Sequence, residues 1–297
     1  HGTVDLRLEA ELVMDFATYR RWKLPKLALD EPAAADDPAA INSSGVESAP
    51  VPVGGGTVLY FSALLRPPAT ADDVWHGARR QGLEVPVEGQ GRVERSYRAE
   101  LTADGWSAPR LVDFPGLDDV VRLRVTWVSE DETACLATVE RPGEPPWVGV
   151  SNRPRRDAPW GAVQPIEGLG ADAEDAVYLT GSRSKLVFAS SRDGRERPDL
   201  FLFDPKTESG PLPLEPQISS FGAERNPRTG PENELFFTRE DRPLIFKGGR
   251  VSSQRLPGPQ RVIFTHAAPT SDGAWLFFCM PRFRPLELDQ DIYVASL

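Results

Sequence analysis

A short apolar strand ending in arginine recurs five times along the chain, and it constrains the fold more than any other feature. The copies are Leu59-Tyr60-Phe61-Ser62 up to Arg66, Cys135-Leu136-Ala137-Thr138 up to Arg141, Leu186-Val187-Phe188-Ala189 up to Arg192, Leu235-Phe236-Phe237-Thr238 up to Arg242, and Leu276-Phe277-Phe278-Cys279 up to Arg282. Their first residues lie 76, 51, 49 and 41 residues apart. A turn precedes each copy: Gly54-Gly55-Gly56, Glu130-Asp131-Glu132, Gly181-Ser182-Arg183-Ser184, Gly230-Pro231-Glu232-Asn233 and Ser271-Asp272-Gly273. Such residues reverse a chain between antiparallel strands. A further β-run follows most copies, as at 199–204, 147–151 and 291–295.

A sheet built from one such unit exposes two apolar faces and cannot stand alone, whereas packing successive sheets around an axis buries both. A period near 40–50 residues is that of one four-stranded blade, roughly. The sequence therefore predicts an all-β fold, a five-bladed β-propeller with six blades the alternative. It forms one domain over 15–297, with blades at 41–115, 116–168, 169–216, 217–260 and 261–297. A tryptophan phrase marks the fourth strand, Trp106-Ser107-Ala108-Pro109 and Trp160-Gly161-Ala162-Val163, and it recurs early as Trp22-Lys23-Leu24-Pro25. The last blade reads as three strands only. Residues 15–30 are therefore expected to supply its outer strand beside 291–296, closing the ring with strands from both termini and removing an exposed sheet edge. Residues 1–14 form an extra N-terminal strand, because Val4, Leu6, Leu8, Ala10 and Leu12 alternate with polar neighbours. It is either an added edge strand or a strand that binds a partner.

These residues resemble the PD40 (WD40-like) repeats of TolB-like β-propellers. The likeness runs from about residue 41 to 297 and is carried by Ser271-Asp272-Gly273 with Leu276-Phe277-Phe278, and by Leu186-Val187-Phe188-Ala189-Ser190-Ser191-Arg192-Asp193-Gly194. It implies a propeller that serves as a binding scaffold or as a domain of an enzyme. It also implies an extracytoplasmic home, periplasmic or secreted, with a signal peptide removed before His1.

A formal net charge of −10 repels phosphate backbones, and no basic stretch is interleaved with aromatics, so nucleic acid is not an expected partner. No apolar run approaches the roughly 20 residues that cross a bilayer, so no membrane insertion is expected. Cys135 and Cys279 fall in blades that are not neighbours and read as buried free thiols.

The candidate site is the channel mouth. Counting back from each repeat strand to the start of the innermost strand gives Glu47, Arg124, Glu174 or Asp175, Glu224 and His266. Carboxylates and an imidazole converging on one axis suit a divalent cation or a small polar ligand; the plainer reading is that each fixes its own turn. A metal ion is the candidate cofactor, held by Glu47, Glu224 and His266. A terminal His1 offers a second metal reading, an amine and an imidazole on copper, for which a tag remnant is the plainer source. An insertion at about 67–92, after a Pro/Ala/acid linker at 31–40, carries Trp75 and His76 and is a second candidate surface for a ligand or protein partner. The repeated arginines are read as architectural, while Arg192 to Arg197 and Arg282-Phe283-Arg284 place charge on the same face. The chain lacks a nucleophile elbow, a phosphate loop, a dinucleotide fingerprint and zinc spacing. The expectation is a non-catalytic binding or scaffold protein. The alternative is a glycosidase-like hydrolase or metal-dependent enzyme using Glu47, Asp175 and Glu224.

Overall fold

The computed structural model describes residues 46–65, 93–103, 105–179, 184–192, 197–207, 210–214, 218, 220–240, 242–254, 265–284 and 287–296. The expected N-terminal strand, the closing strand at 15–30, the insertion at 67–92 and the residues His1, Trp75 and His76 lie outside them. The described chain is all-β apart from a single 3-10 turn, Gly54–Gly56, whose glycines all have positive φ. It contains no helix long and apolar enough to cross a membrane.

Its strands fall into five consecutive antiparallel groups. The first has β1 (Val46–Val53), β2 (Val58–Leu65) and β3 (Val93–Thr102), with short β4 (Gly105–Trp106) and β5 (Arg110–Leu111) both pairing β3. The second has β6 (Arg122–Val128), β7 (Ala134–Glu140), β8 (Trp147–Asn152) and β9 (Gln164–Pro165). The third has β10 (Ala173–Tyr178), β11 (Leu186–Ser190), β12 (Asp199–Phe203) and β13 (Leu212–Pro213). The fourth has β14 (Glu224–Thr229), β15 (Leu235–Arg239), β16 (Arg242–Lys247) and β17 (Arg250–Ser253). The fifth has β18 (Thr265–Pro269), β19 (Trp275–Arg284) and β20 (Glu287–Ser296). Isolated parallel pairings, Val46 with Gln290 and Glu94 with Arg122, link the fifth group to the first and the first to the second.

All five repeat strands are second strands, and their alternation explains the packing. In β2, Leu59, Phe61 and Ala63 face the fifth group's Phe277, Cys279 and Ile292, while Val58 and Tyr60 face the second group's Leu123, Val125, Cys135 and Ala137. The same division recurs between Leu136 and Phe188, between Val187 and Phe237, and between Phe236 and Phe278. Each group is thus apolar on both faces, and each buried aromatic ring contributes roughly 1.5–3 kcal/mol. The first strands gather inside: β1 touches β6 and β18, and β10 touches β6 and β14, which in turn touches β18.

The tryptophan phrases need a correction. Trp106 sits in β4, but Trp160 precedes its strand, and the outer pairing falls at Gln164–Pro165. There Gly149 lets the outer strand approach, since a Cβ on it would meet Val163 and the Gln164 carbonyl at 2.5 and 2.7 Å.

Cys135 and Cys279 are free, buried, and packed on opposite faces of the first group, as expected. Burial pushes the Cys135 thiol up to about 12. Native protein should therefore react slowly with a disulfide-exchange reagent and release two thiol equivalents on unfolding without reductant. Finding none after unfolding would refute this placement.

Candidate functional site

Every first strand carries a bulge opposite the central residue of its second strand, and that bulge organises the axis. Two residues face one: Ala49-Pro50 face Phe61, Asp175-Ala176 face Phe188, Asn226-Pro227 face Phe237, and His266-Ala267 face Phe278. In β6 the shift falls between Val125 and Trp127. Ala49, Asp175, Asn226 and His266 open their bulges with φ of 50, 55, 53 and 50°. Asp, Asn and His are among the few residue types that enter this region readily. A bulge bends its strand and re-aims the side chains beyond it, so each first strand has a starting half and a finishing half with different surroundings.

The starting halves hold a belt of buried charge. Arg124 donates from Nε and Nη2 to the Glu94 carboxylate at 2.7 and 3.0 Å and from Nη1 to Asp175 Oδ1 at 2.8 Å. Arg122 reaches Glu174 at 2.9 Å and Glu140 at 3.2 Å. Arg225 donates to the other Glu174 oxygen at 3.0 Å. The belt therefore ties the first four groups together. Burial alone would raise the pKa of Asp175, but Arg124, assisted by Arg228, holds it below the usual carboxylate range. Burial and the neighbouring Asp175 push Glu174 upward. His266 keeps a little solvent contact, yet the protein packed around it, with Arg124 and Arg228, drives its pKa down to about 3 against the pull of Asp175.

This geometry corrects the register of the expected site. Glu47 and Glu224 lie opposite Ala63 and Arg239, Arg124 lies opposite Thr138 one position further on, and Asp175 and His266 are bulge residues beyond that. The set spans three successive positions because counting back through the sequence passes over the bulge. The structure brings Arg124, Asp175 and His266 together. Glu224 instead fixes its own group, accepting from Arg239 Nε at 2.6 Å and from the Ser220 hydroxyl. Glu47 is fully buried on β1. Among the described residues no three His, Cys, Asp and Glu side chains are gathered as a metal ion requires, so Glu47, Glu224 and His266 do not form that centre. Arg192 is architectural, lying over Phe188 and Phe201 and donating to the Leu169 carbonyl at 2.7 Å.

The finishing halves and the turns that follow them line a half-open cavity of about 410 Å³. The residues next after the bulges, Val51, Trp127, Val177, Arg228 and Ala268, pair with Tyr60, Leu136, Val187, Phe236 and Phe277, and all five line it. Trp127 meets Tyr178 edge to face with ring centres 4.9 Å apart. Thr126 donates its hydroxyl to the Ala176 carbonyl at 2.6 Å. Glu130 is bound by the Gly54 amide at 2.9 Å. Arg228 is the exception in an otherwise apolar ring. It is 6% exposed, and Nη1 donates to the Pro227 carbonyl at 2.8 Å while Nε reaches the Pro50 carbonyl at 3.4 Å. Burial, together with Arg124 and against the opposing pull of Asp175, pushes its pKa down to about 10. Sequence reading missed Arg228; its only signal is an arginine where the aligned positions carry Val, Trp, Val and Ala.

A larger, more open depression of about 870 Å³ borders Arg98, Arg153, Arg156 and Trp160. Glu132 sits among these arginines, accepting from Arg98 Nε at 2.7 Å and from Tyr60 at 2.6 Å, and pairing with Arg156 at 2.5 Å.

No family model matches the chain, and no curated protein does. Among solved structures it is similar to the Hadza microbial sialidase Hz136, at 10% identity and a TM-score of 0.46, over 84% of this chain and 52% of that one. It is similar to TolB from Acinetobacter baumannii at 13% identity and a TM-score of 0.45, over 84% and 51%. The Trypanosoma rangeli sialidase in complex with the inhibitor DANA gives 11% and 0.46, over 90% and 48%. The chain spans about half the length of these structures, and likenesses at this level carry no argument about its activity.

Proposed function

We propose that the chain is a five-bladed β-propeller that works as a non-catalytic binding module, taking a small ligand in the cavity on its axis. The observation that carries this reading is the cavity's construction: the same register position of every first strand lines it, so it belongs to the axis and not to one loop. Five apolar clusters, one between each group and the next including the fifth and the first, support the blade count and the ring. The blade limits proposed from the sequence follow the same grouping. A volume of about 410 Å³ falls in the range of roughly 300–1,000 Å³ that small-molecule sites occupy. The hydrolase alternative has less support, because two of its three carboxylates, Asp175 and Glu224, each rest on an arginine.

The test is a thermal-shift screen of small acids, amines, sugars and short peptides against the protein and an Ala268→Leu variant. Ala268 lines the cavity, and leucine there takes up part of it. Saturable stabilisation in the parent and its loss in the variant are expected. A screen without ligands, or ligands indifferent to the filled cavity, would overturn the reading.

A further inference from the structure

We infer that Arg228 makes the axial cavity selective for a small organic monocarboxylate with an apolar, aromatic-sized body. The inference rests on the reading of that cavity as a binding site and names the class of ligand.

A guanidinium is costly to bury unless an anion compensates it. Its protein partners here are two neutral carbonyls, those of Pro227 and Pro50. Among the described residues no carboxylate stands within ion-pair distance of it. The negative group that acts on it most strongly, Asp175, spends an oxygen on Arg124 at 2.8 Å. Of the other charged or titratable groups around Arg228, Arg124 repels it, the Cys279 side chain is a buried free thiol, and His266 stays neutral at ordinary pH. No hydrogen bond among the described residues engages Nη2, and Arg228 borders the cavity. The free edge of the fork therefore presents the planar donor pattern that a carboxylate matches with two parallel bonds.

The walls select the rest of the molecule. Trp127, Tyr178, Val51, Val177 and Leu179 offer apolar surface in the same lining as the arginine. The hydroxyls of Thr126, Ser129 and Thr229 in this lining already donate to the Ala176 carbonyl, Asp131 and the Tyr178 carbonyl, which suits the cavity less well to the many hydroxyls of a sugar. One cation with a carboxylate, Glu130, also in the lining suits a single negative charge better than a phosphate dianion, and the formal net charge of −10 adds to that discrimination.

The experiment measures matched pairs by calorimetry at pH 7: phenylacetate against phenylacetamide and indole-3-acetate against indole-3-acetamide. Hydrogen bonds to a charged group are strong enough that each acid should bind roughly tenfold or more tightly than its amide. In Arg228→Gln and Arg228→Met the acids should fall to the level of the amides, while the amides keep their affinity. Inorganic phosphate should not displace the acids. Equal binding of acid and amide in the parent protein would overturn the carboxylate inference alone, and so would an acid preference that survives both substitutions. Binding of no member of the panel would overturn it together with the cavity reading. The parent acid-to-amide ratio decides the matter even where a variant fails to fold, which its melting curve reports.

Discussion

Replacing Arg124 by methionine is expected to destabilise the protein by about 3–5 kcal/mol, the usual cost of removing one partner from a buried ion network. The substitution removes the group that bridges the two carboxylates, leaving Asp175 without a cation in contact and Glu94 with only the longer pairing to Arg122 at 3.5 Å. It also removes the tie between β3 of the first group and β10 of the third. Urea unfolding at pH 7 measures the loss. Adding Glu94→Gln and Asp175→Asn to the variant should recover part of it, because neutral amides bear burial better than orphaned carboxylates, and asparagine accepts the φ of 55° at position 175. The gap between parent and single variant should also narrow on acidification. In the parent, Asp175 has a depressed pKa, so its stabilisation is present above the unfolded value of about 3.9 and is lost as pH falls through the folded one. In the variant the freed carboxyls simply protonate. A loss below about 1 kcal/mol would show that the belt is dispensable, as exposed ion pairs are.

The parts of this molecule that sequence reading found and the parts it missed divide along one physical line. Leu59, Cys135, Leu186, Leu235 and Leu276 each stand first or second in a second strand whose two faces are both buried, so the sequence shows near-continuous apolar runs at a regular spacing. Turn residues between first and second strands were equally visible, because glycine and asparagine are needed where φ is positive, as at Gly54, Asn233 and Gly273. The first strands gave no such signal. Their alternation is broken by the bulge, and a register that slips by one residue moves every side chain to the other face. Glu47, Arg124, Asp175, Glu224 and His266 were aligned by counting through that irregularity, which is why Glu224 turned out to serve its own turn while Asp175 and His266 share a true equivalent position.

The same irregularity hid the cavity. Val51, Trp127, Val177, Arg228 and Ala268 read as ordinary strand residues until the bulge aligns them, and only then does Arg228 stand out. Arg124 was found for the wrong partner. The expected contact was a ligand at the channel mouth, whereas Glu94 on a third strand takes up its fork, a pairing that depends on how two neighbouring groups pack and that no local pattern encodes.

Stability should fall as the pH is lowered from about 6.5 towards 4.5, and His266 should account for a separable part of the decline. The imidazole of His266 is held near pKa 3 in the folded protein by the surrounding protein and by Arg124 and Arg228, with Asp175 opposing them, whereas the unfolded chain takes up its proton near 6.5. Between those values the unfolded state binds one more proton than the native state, so stability rises with pH and drops as the solution is acidified, by at most about 1.4 kcal/mol per pH unit for this one group. Depressed carboxylates such as Asp175 and Glu132 also lose stabilisation in acid, but only as the pH falls toward and below their unfolded values near 4, while Glu174, whose pKa is raised, works in the opposite sense above that, so comparison with a histidine-free variant isolates the share of His266. Asparagine is the substitution to use, since it tolerates the φ of 50° at position 266 and carries no titratable group. Urea midpoints of the parent and His266→Asn, taken at half-unit steps from pH 7 to 4.5, should diverge with the variant the flatter of the two. Parallel profiles over that window would mean that His266 charges freely in the folded protein, and the cation-lined pocket described around it would then be wrong.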